Sequence, residues 1–507
     1  MNSLIEKLKA FPLTEGEITS VRYFEHLTMP RPNPMKISIA DTGAYYRVDM
    51  ILRPAPDSHI GLAVCLPEPE NWNGKFLGTG NGGGAGQIAE GNLLNGLSRR
   101  YAVANTDLGT SPNANDWVGH PDVFDDFGWR ATHLMTTIGK ALTAWFYCRE
   151  PKYSYYYGGS TGGQQAFSEA QRYPEDYDGI VCLSPAFDRM RLHAFFIWNW
   201  QAIHSEPDGV FTPETVKAWR DVIIKRYGAE CGSNPDDWFL CYPGRIKGNP
   251  MDDPELQKEA ESILTPGQRN ALRKIYDGPK DPVTGERFIA HFLPGTETEG
   301  LSLVDYSDKE AFDSGYFFPY DWASGKPIDG LKFSFHDDLW RCIEKLGPVL
   351  DARDPDLSAY KARGGKLFVV GGSSDAIIPY TGFLEYYRKV IELQGGIEET
   401  KKFFRFVLMP GFSHTIGGSG VQDVGSVGIT ATPRDADHDA LMAMERWVEE
   451  GAAPERLLGT HFKTGEEGLA FDYARPGYVY PLVTKFMCGD PKDPENYCGE
   501  ENPELYV

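Results

Sequence analysis

Tyr157-Gly158-Gly159-Ser160-Thr161-Gly162-Gly163 sets one serine among glycines, between the strand-prone run Tyr153-Ser-Tyr-Tyr-Tyr and the helix-prone run Gln164-Gln-Ala-Phe-Ser-Glu-Ala-Gln-Arg. The pattern Gly158-x-Ser160-x-Gly162 fits a tight strand-to-helix turn that pushes a serine hydroxyl into the open, because small neighbours let two backbones approach closely. Glycine-flanked serines also occur in ordinary loops, where they merely cap a helix. The partners of Ser160 therefore decide the reading.

Upstream, Ile60-Gly-Leu-Ala-Val-Cys-Leu-Pro67 is an apolar run closed by proline, and Lys75-Phe-Leu-Gly-Thr leads into the glycine cluster Gly80-Asn-Gly-Gly-Gly-Ala-Gly86. Such a cluster is either a plain loop or one whose backbone N–H groups converge on developing negative charge. It lacks the spacing of a dinucleotide-binding turn. Tyr101-Ala-Val-Ala-Asn-Thr-Asp107 reads as the next strand, and Leu134, Ile138, Leu142 and Trp145 recur on one face of a helix. Asp178-Gly-Ile-Val-Cys-Leu-Ser184 follows the serine turn as another strand. The alternation predicts parallel βαβ units and an α/β fold.

After Pro185 the alternation stops. A dense aromatic patch, Phe195-Phe-Ile-Trp-Asn-Trp, precedes helices that start at Thr212-Pro213 and at Thr265-Pro-Gly-Gln268, the latter a capping box. Strand and helix alternation resumes with Lys366-Leu-Phe-Val-Val-Gly-Gly372, a helix from about Gly382 to Leu393, Phe404-Arg-Phe-Val-Leu-Met-Pro410 and a helix near Asp437. The expected organisation is a discontinuous core, 1–188 and 346–507, interrupted by an inserted lid, 189–345. The aromatics of the insert serve either its own small core or a pocket for an aromatic substrate.

Three polar residues occupy equivalent places: Ser160, Asp375 and His414 each follow a predicted strand directly. The carboxyl ends of parallel strands lie on one edge of a sheet, so the three can converge. Their order, Ser then Asp then His, is that of α/β-hydrolases. Serine needs a base to take its proton as it attacks, and histidine can accept that proton and return it to a leaving alcohol. The aspartate would fix the imidazole tautomer. Oxyanion donors are expected from the N–H of Thr161 and from Gly82 or Gly83. Competing acids, Asp107 and Asp437, and competing histidines, His120, His133 and His438, are less well placed.

A net charge of −22 disfavours nucleic acid or an anionic membrane as partner. No uninterrupted apolar segment reads as a signal or a membrane span, so a cytoplasmic location is expected. The eight cysteines contain no CxxC pair, and neither a metal nor a cofactor is demanded; Cys231/Cys241 and Cys488/Cys498 are near enough in sequence to bridge small loops. The oligomeric state is not encoded in any pattern.

The sequence resembles the tannase and feruloyl esterase family over most of its length. The resemblance rests on Asn71-Trp-Asn-Gly-Lys-Phe-Leu with the glycine cluster, Tyr101-Ala-Val-Ala-Asn-Thr-Asp, Gly158-Gly-Ser-Thr-Gly-Gly-Gln and Gln171-Arg-Tyr-Pro-Glu-Asp-Tyr-Asp-Gly-Ile. Further on it includes Asp354-Pro-Asp-Leu-Ser-Ala-Tyr-Lys, Asp375-Ala-Ile-Ile-Pro, Met409-Pro-Gly-Phe-Ser-His and Trp447-Val-Glu-Glu-Gly-Ala-Ala-Pro. It implies an α/β-hydrolase core with a large lid and a carboxylesterase acting on small aromatic esters such as gallates or hydroxycinnamates. Hydrolysis of an amide or lactone on the same three residues is the alternative, and a non-catalytic binding protein on a hydrolase scaffold is a more distant one.

Two departures stand out. Typical members carry a disulfide joining the residue before the nucleophile to the residue after the histidine; here these are Gly159 and Thr415. Many relatives also carry an Asp-rich calcium loop in the lid, whereas Cys231-Gly-Ser-Asn-Pro-Asp-Asp-Trp offers only Asp236 and Asp237. Calcium wants six to eight oxygens, so no calcium site is expected.

Overall fold

The computed structural model describes residues 2–26, 41–309, 315–426, 431–465 and 468–501. Nine strands form one mixed sheet: β1 (Gly16–Phe24), β2 (Tyr45–Leu52), β3 (Ile60–Pro67), β4 (Lys75–Thr79), β5 (Ala102–Thr106), β6 (Tyr153–Ser160), β7 (Gly179–Pro185), β8 (Lys366–Gly372) and β9 (Phe404–Met409). Their order is β1-β2-β3-β5-β4-β6-β7-β8-β9. From β5 to β9 every neighbour is parallel, while β1, β2 and β3 pair antiparallel and β3 meets β5 antiparallel. The parallel reading thus fails for Ile60–Pro67. Only residues 68–74 separate β3 from β4, too few for the crossover that a parallel connection needs.

The central strands are buried on both faces, and their side chains alternate between two apolar layers. Tyr156, Ile180 and Cys182 join the layer that contains Ala166 and Phe167 of the helix Thr161–Arg172. Tyr155, Tyr157, Val181 and Leu183 join the layer that holds Leu441, Met444 and Trp447 of the helix Ala440–Glu450. Two small antiparallel hairpins close the chain: β10 (Arg456–Gly465) with β11 (Gly468–Tyr478), and β12 (Leu482–Phe486) with β13 (Tyr497–Glu501). Among the described residues, no helix is long and apolar enough to cross a membrane.

Between β7 and β8 the described chain is mostly helical, with helices at Arg189–His204, Pro213–Tyr227, Pro254–Ile263, Pro266–Asp277, Phe318–Ser324 and Asp337–Leu350. The last of these runs through position 346, the expected return boundary. Thr212 caps its helix through a bond from the Thr215 N–H, and Thr265 with Gln268 forms the capping box read from the sequence. Helix Arg189–His204 is buried around nearly its whole circumference, which is what its aromatic density requires. Its Phe195, Ile197 and Trp200 continue the apolar layer of the sheet without a break, so the insert packs onto the core rather than standing apart.

Candidate active site

Ser160 ends β6 and immediately precedes the helix that begins at Thr161. Its φ of 59° and ψ of −117° lie in a region that L-residues avoid, at a cost of about 1–3 kcal/mol. The turn closes only because its neighbours lack side chains. A Cβ on Gly162 would sit 3.0 Å from Gly80 Cα, and one on Gly163 would sit 2.5 Å from Pro185 Cα.

Asp375 follows β8 and is fully buried. Its Oδ1 accepts the N–H groups of Ile377 and Ile378, each at 2.9 Å, and its Oδ2 lies 2.9 Å from His414 Nδ1. The two backbone bonds fix the carboxylate, which in turn favours the tautomer that leaves Nε2 of His414 without a proton. His414 stands in the loop after β9, largely buried. Together with Ser160 it lines a cavity of about 350 Å³. No direct hydrogen bond joins Ser160 to His414 among the described residues; such contacts commonly tighten only around substrate.

Gly82 and Gly83 line the same cavity. The carbonyls around them are occupied: Asn81 O accepts the Gly162 N–H at 2.8 Å, Gly82 O accepts the Ala85 N–H at 3.1 Å, and Gly83 O accepts the Thr161 hydroxyl at 2.6 Å. The N–H groups of Gly82 and Gly83 have no acceptor among the described residues. Thr161, as first residue of its helix, has an N–H without an intrahelical acceptor. Unpaired donors beside an exposed hydroxyl can stabilise negative charge on a substrate oxygen.

The remaining candidates lie elsewhere. Asp107 accepts from Gly61 and Gly109, and burial pushes its carboxyl up to about 6. Asp437 faces Arg446, His120 faces Asp57, and His438 faces Asp435. His133 is bound to Asp176, and these two approach Glu169 with ligand-type atoms within 4.8 Å of one another. None of these lines the cavity of Ser160. In the insert, Asp237 is paired with Arg475 at 2.7 Å. All eight cysteines are free thiols, including Cys231, Cys241, Cys488 and Cys498.

The model of the family described as Tannase and feruloyl esterase matches residues 48–498. The chain belongs to the tannase and feruloyl esterase family. It is 30% identical over 492 residues to an uncharacterized esterase of Xanthomonas campestris, covering 91% of this chain and 85% of that one. It is equally 30% identical, over 475 residues, to a probable feruloyl esterase B-1 of Aspergillus flavus, covering 90% and 85%. The crystal structure of an esterase from Aspergillus oryzae superposes with a TM-score of 0.85 at 26% identity, covering 98% of this chain and all of that one. The fold is that of the α/β-hydrolases, and the protein is a carboxylesterase.

Sequence reasoning offered a pocket wall as one role for the insert's aromatic patch but singled out none of the residues that the insert brings to this candidate site. Arg189, Leu192, His193 and Phe196 line the cavity from one helix, and Tyr316 and Phe318 come from further along the insert. Their spacing at i, i+3, i+4 and i+7 marks one helix face. In a helix buried all round, that signal is drowned by apolar residues on the other faces.

Proposed function

We propose that the protein hydrolyses small esters of aromatic acids through an acyl-enzyme. The observation that carries the reading is the pairing of a buried Asp375–His414 hydrogen bond with a serine held at positive φ on the same cavity. Ser160 Oγ attacks the ester carbonyl carbon as His414 Nε2 takes its proton. The carbonyl oxygen becomes an oxyanion beside the N–H groups of Thr161 and of Gly82 or Gly83, each donor contributing roughly 3 kcal/mol to the barrier reduction. Collapse breaks the bond to the alcohol oxygen, which receives the proton from His414. Water then repeats the sequence on the acyl-serine and releases the acid. Asp375 holds the imidazole and stabilises its cation without taking the proton.

The aromatic preference is supported by Phe196, Tyr316 and Phe318 in the cavity wall, by the size of the cavity, and by the feruloyl ester named for a relative. The test uses methyl gallate, methyl ferulate, a terephthalate monoester and a p-nitrophenyl ester. The expected result is turnover of at least one, with an acyl adduct on Ser160 detected by mass spectrometry after rapid quenching, and Ser160→Ala inactive towards all of them. Turnover that survives in Ser160→Ala would reject the mechanism.

A further inference from the structure

We infer that Arg189, the residue that opens the insert, is the positioning residue of the oxyanion site. This rests on the assignment of that site above. Arg189 is 3% exposed, and no carboxylate lies within ion-pairing distance of it among the described residues. Its guanidinium instead serves neutral acceptors. Nε and Nη2 donate to Gln164 Oε1 at 2.8 and 2.6 Å, and Nη2 donates to Thr161 Oγ1 at 2.8 Å. Nη1 lies 3.3 Å from His193 Nε2.

The direction of this chain follows from proton counting. A guanidinium only donates, and a hydroxyl has a single proton. With Arg189 donating to Thr161 Oγ1, the hydroxyl proton of Thr161 is free to go to Gly83 O, 2.6 Å away. The link therefore runs from Arg189 through Thr161 to the glycine loop. The other end of that loop is pinned at Asn81, whose carbonyl accepts the Gly162 N–H and whose own N–H donates to Gln165 Oε1 at 2.9 Å. Gly82 is held between two fixed points, and the peptide units that carry the Gly82 and Gly83 donors cannot rotate independently of the turn at Ser160.

His193 completes the anchor. Its Nδ1 donates to Tyr316 O, so Nε2 is the acceptor for Arg189. Burial first, and the Arg189 charge second, pull His193 down to about 3, so it stays neutral and the cluster carries one positive charge. Burying that charge is costly: desolvation pulls the Arg189 guanidinium down to about 9, opposed only by the Asp351 carboxylate, which lies beyond ion-pairing distance. A carboxylate partner would hold the side chain as well, but would cancel the field that an oxyanion next to Thr161 experiences. The first turn of the insert thus acts on the reaction through the oxyanion donors, in addition to its place in the cavity wall.

Two variants test this: Arg189→Met and Thr161→Val, singly and combined. The readouts are kcat and KM on a p-nitrophenyl ester and the rate at which a fluorophosphonate labels Ser160. Labelling requires the same serine attack and the same oxyanion donors, and it does not depend on which ester is the substrate. Each single variant should slow both kcat and labelling by roughly tenfold to a hundredfold, with KM moving less than about threefold. The double variant should be no slower than the slower single one by more than about threefold, because both act through one link. Thr161→Ser, which keeps the hydroxyl, should recover most of the loss seen with valine.

Labelling at the wild-type rate in both variants, effects that multiply, or a loss confined to KM would overturn the inference while leaving the nucleophile intact. A wild-type protein that the fluorophosphonate does not label would overturn the assignment of Ser160 itself, and Arg189 with it. If Arg189→Met does not fold, Thr161→Val and Thr161→Ser decide the matter alone, since neither alters a charge.

Discussion

The helix Thr161–Arg172 has a histidine–aspartate pair near each end, and the two pairs are almost superposable in chemistry. At one end His414 Nδ1 lies 2.9 Å from Asp375 Oδ2; at the other, His133 Nδ1 lies 2.7 Å from Asp176 Oδ2. What surrounds them differs. His414 shares a cavity with a strained serine and with unpaired backbone donors. His133 is stacked on Tyr173, with ring centroids 3.6 Å apart, and faces the buried Glu169. A hydrogen bond from an imidazole to a carboxylate fixes a tautomer and nothing more. Chemistry follows only where the other ring nitrogen meets a group that needs its proton removed.

The sharpest way to break the comparison is to remove each histidine. His414→Ala should lower kcat by about 10⁴ to 10⁶-fold. His133→Ala should leave kcat within about threefold while costing about 1–2 kcal/mol of stability, since a hydrogen bond and a ring stack are lost. Steady-state kinetics with thermal denaturation on both proteins checks this. Equal losses of activity would show that the surroundings of the two pairs do not set them apart. Next in size is the partner exchange. Asp375→Asn should cost about 10⁴-fold in kcat by favouring the wrong tautomer, with KM little changed. Asp176→Asn should be visible in the melting curve alone.

The convergence of Asp375 and His414, the proposed catalytic pair, was legible in the sequence because each follows an apolar strand, so their place on the sheet edge could be read without knowing any contact. His133 lies inside a helix, and sequence offered only its residue type. The strands from β3 to β9 that matter for the site were equally legible, each being a short apolar run. Gly16–Phe24 was not: it carries Glu17, Thr19, Ser20 and Arg22 and is nowhere fully buried, so it has no apolar signature. The hairpin of β10 and β11 escaped notice for a similar reason: in β10, Arg456, Thr460, His461 and Lys463 fall irregularly among apolar residues and glycine, with neither an apolar run nor a strict alternation. Arg189 was invisible as a functional residue. An arginine that enters an aromatic helix reads as the solvated end of that helix, and only the fold turns it inward onto Thr161.

The second pair also predicts a pH dependence of stability. Burial, reinforced by Asp176, raises the Glu169 carboxyl well above its ordinary value of 4.5. Among the described residues no donor reaches either of its oxygens, and the Asp176 carboxylate lies beside it. In the folded protein it therefore stays protonated at pH values where the unfolded chain has already released its proton. Over that window the native state binds more protons, so this group's contribution to stability falls as pH rises from the unfolded value towards the folded one. Glu169→Gln removes the titration. Its melting temperature relative to wild type should rise with pH over this range, by a few degrees. A constant difference between pH 5 and 8 would mean that Glu169 does not titrate in the way its burial implies.

The smallest expected effect concerns how the proposed catalytic residues are held. A Cβ on Gly159 would lie 3.2 Å from Thr415 Cβ and 2.7 Å from Thr415 Cγ2. A disulfide needs a Cβ separation of about 3.5–4.5 Å, so the two positions fit a bridge after an outward shift of a few tenths of an ångström. Thr415 already sits at a φ of 62°, and Gly159 leaves room for its methyl group. The present packing thus places a threonine methyl against glycine where the family resemblance implies a covalent tie. In Gly159→Cys/Thr415→Cys, oxidation should consume both new thiols, counted against the eight native ones, and leave kcat within about threefold of wild type, because the staple restrains loops already in place. Free thiols at full occupancy after oxidation would refute the geometry. A large fall in kcat with the bridge closed would show instead that the serine and histidine loops must move apart during turnover, which the second pair, away from any reacting bond, has no reason to do.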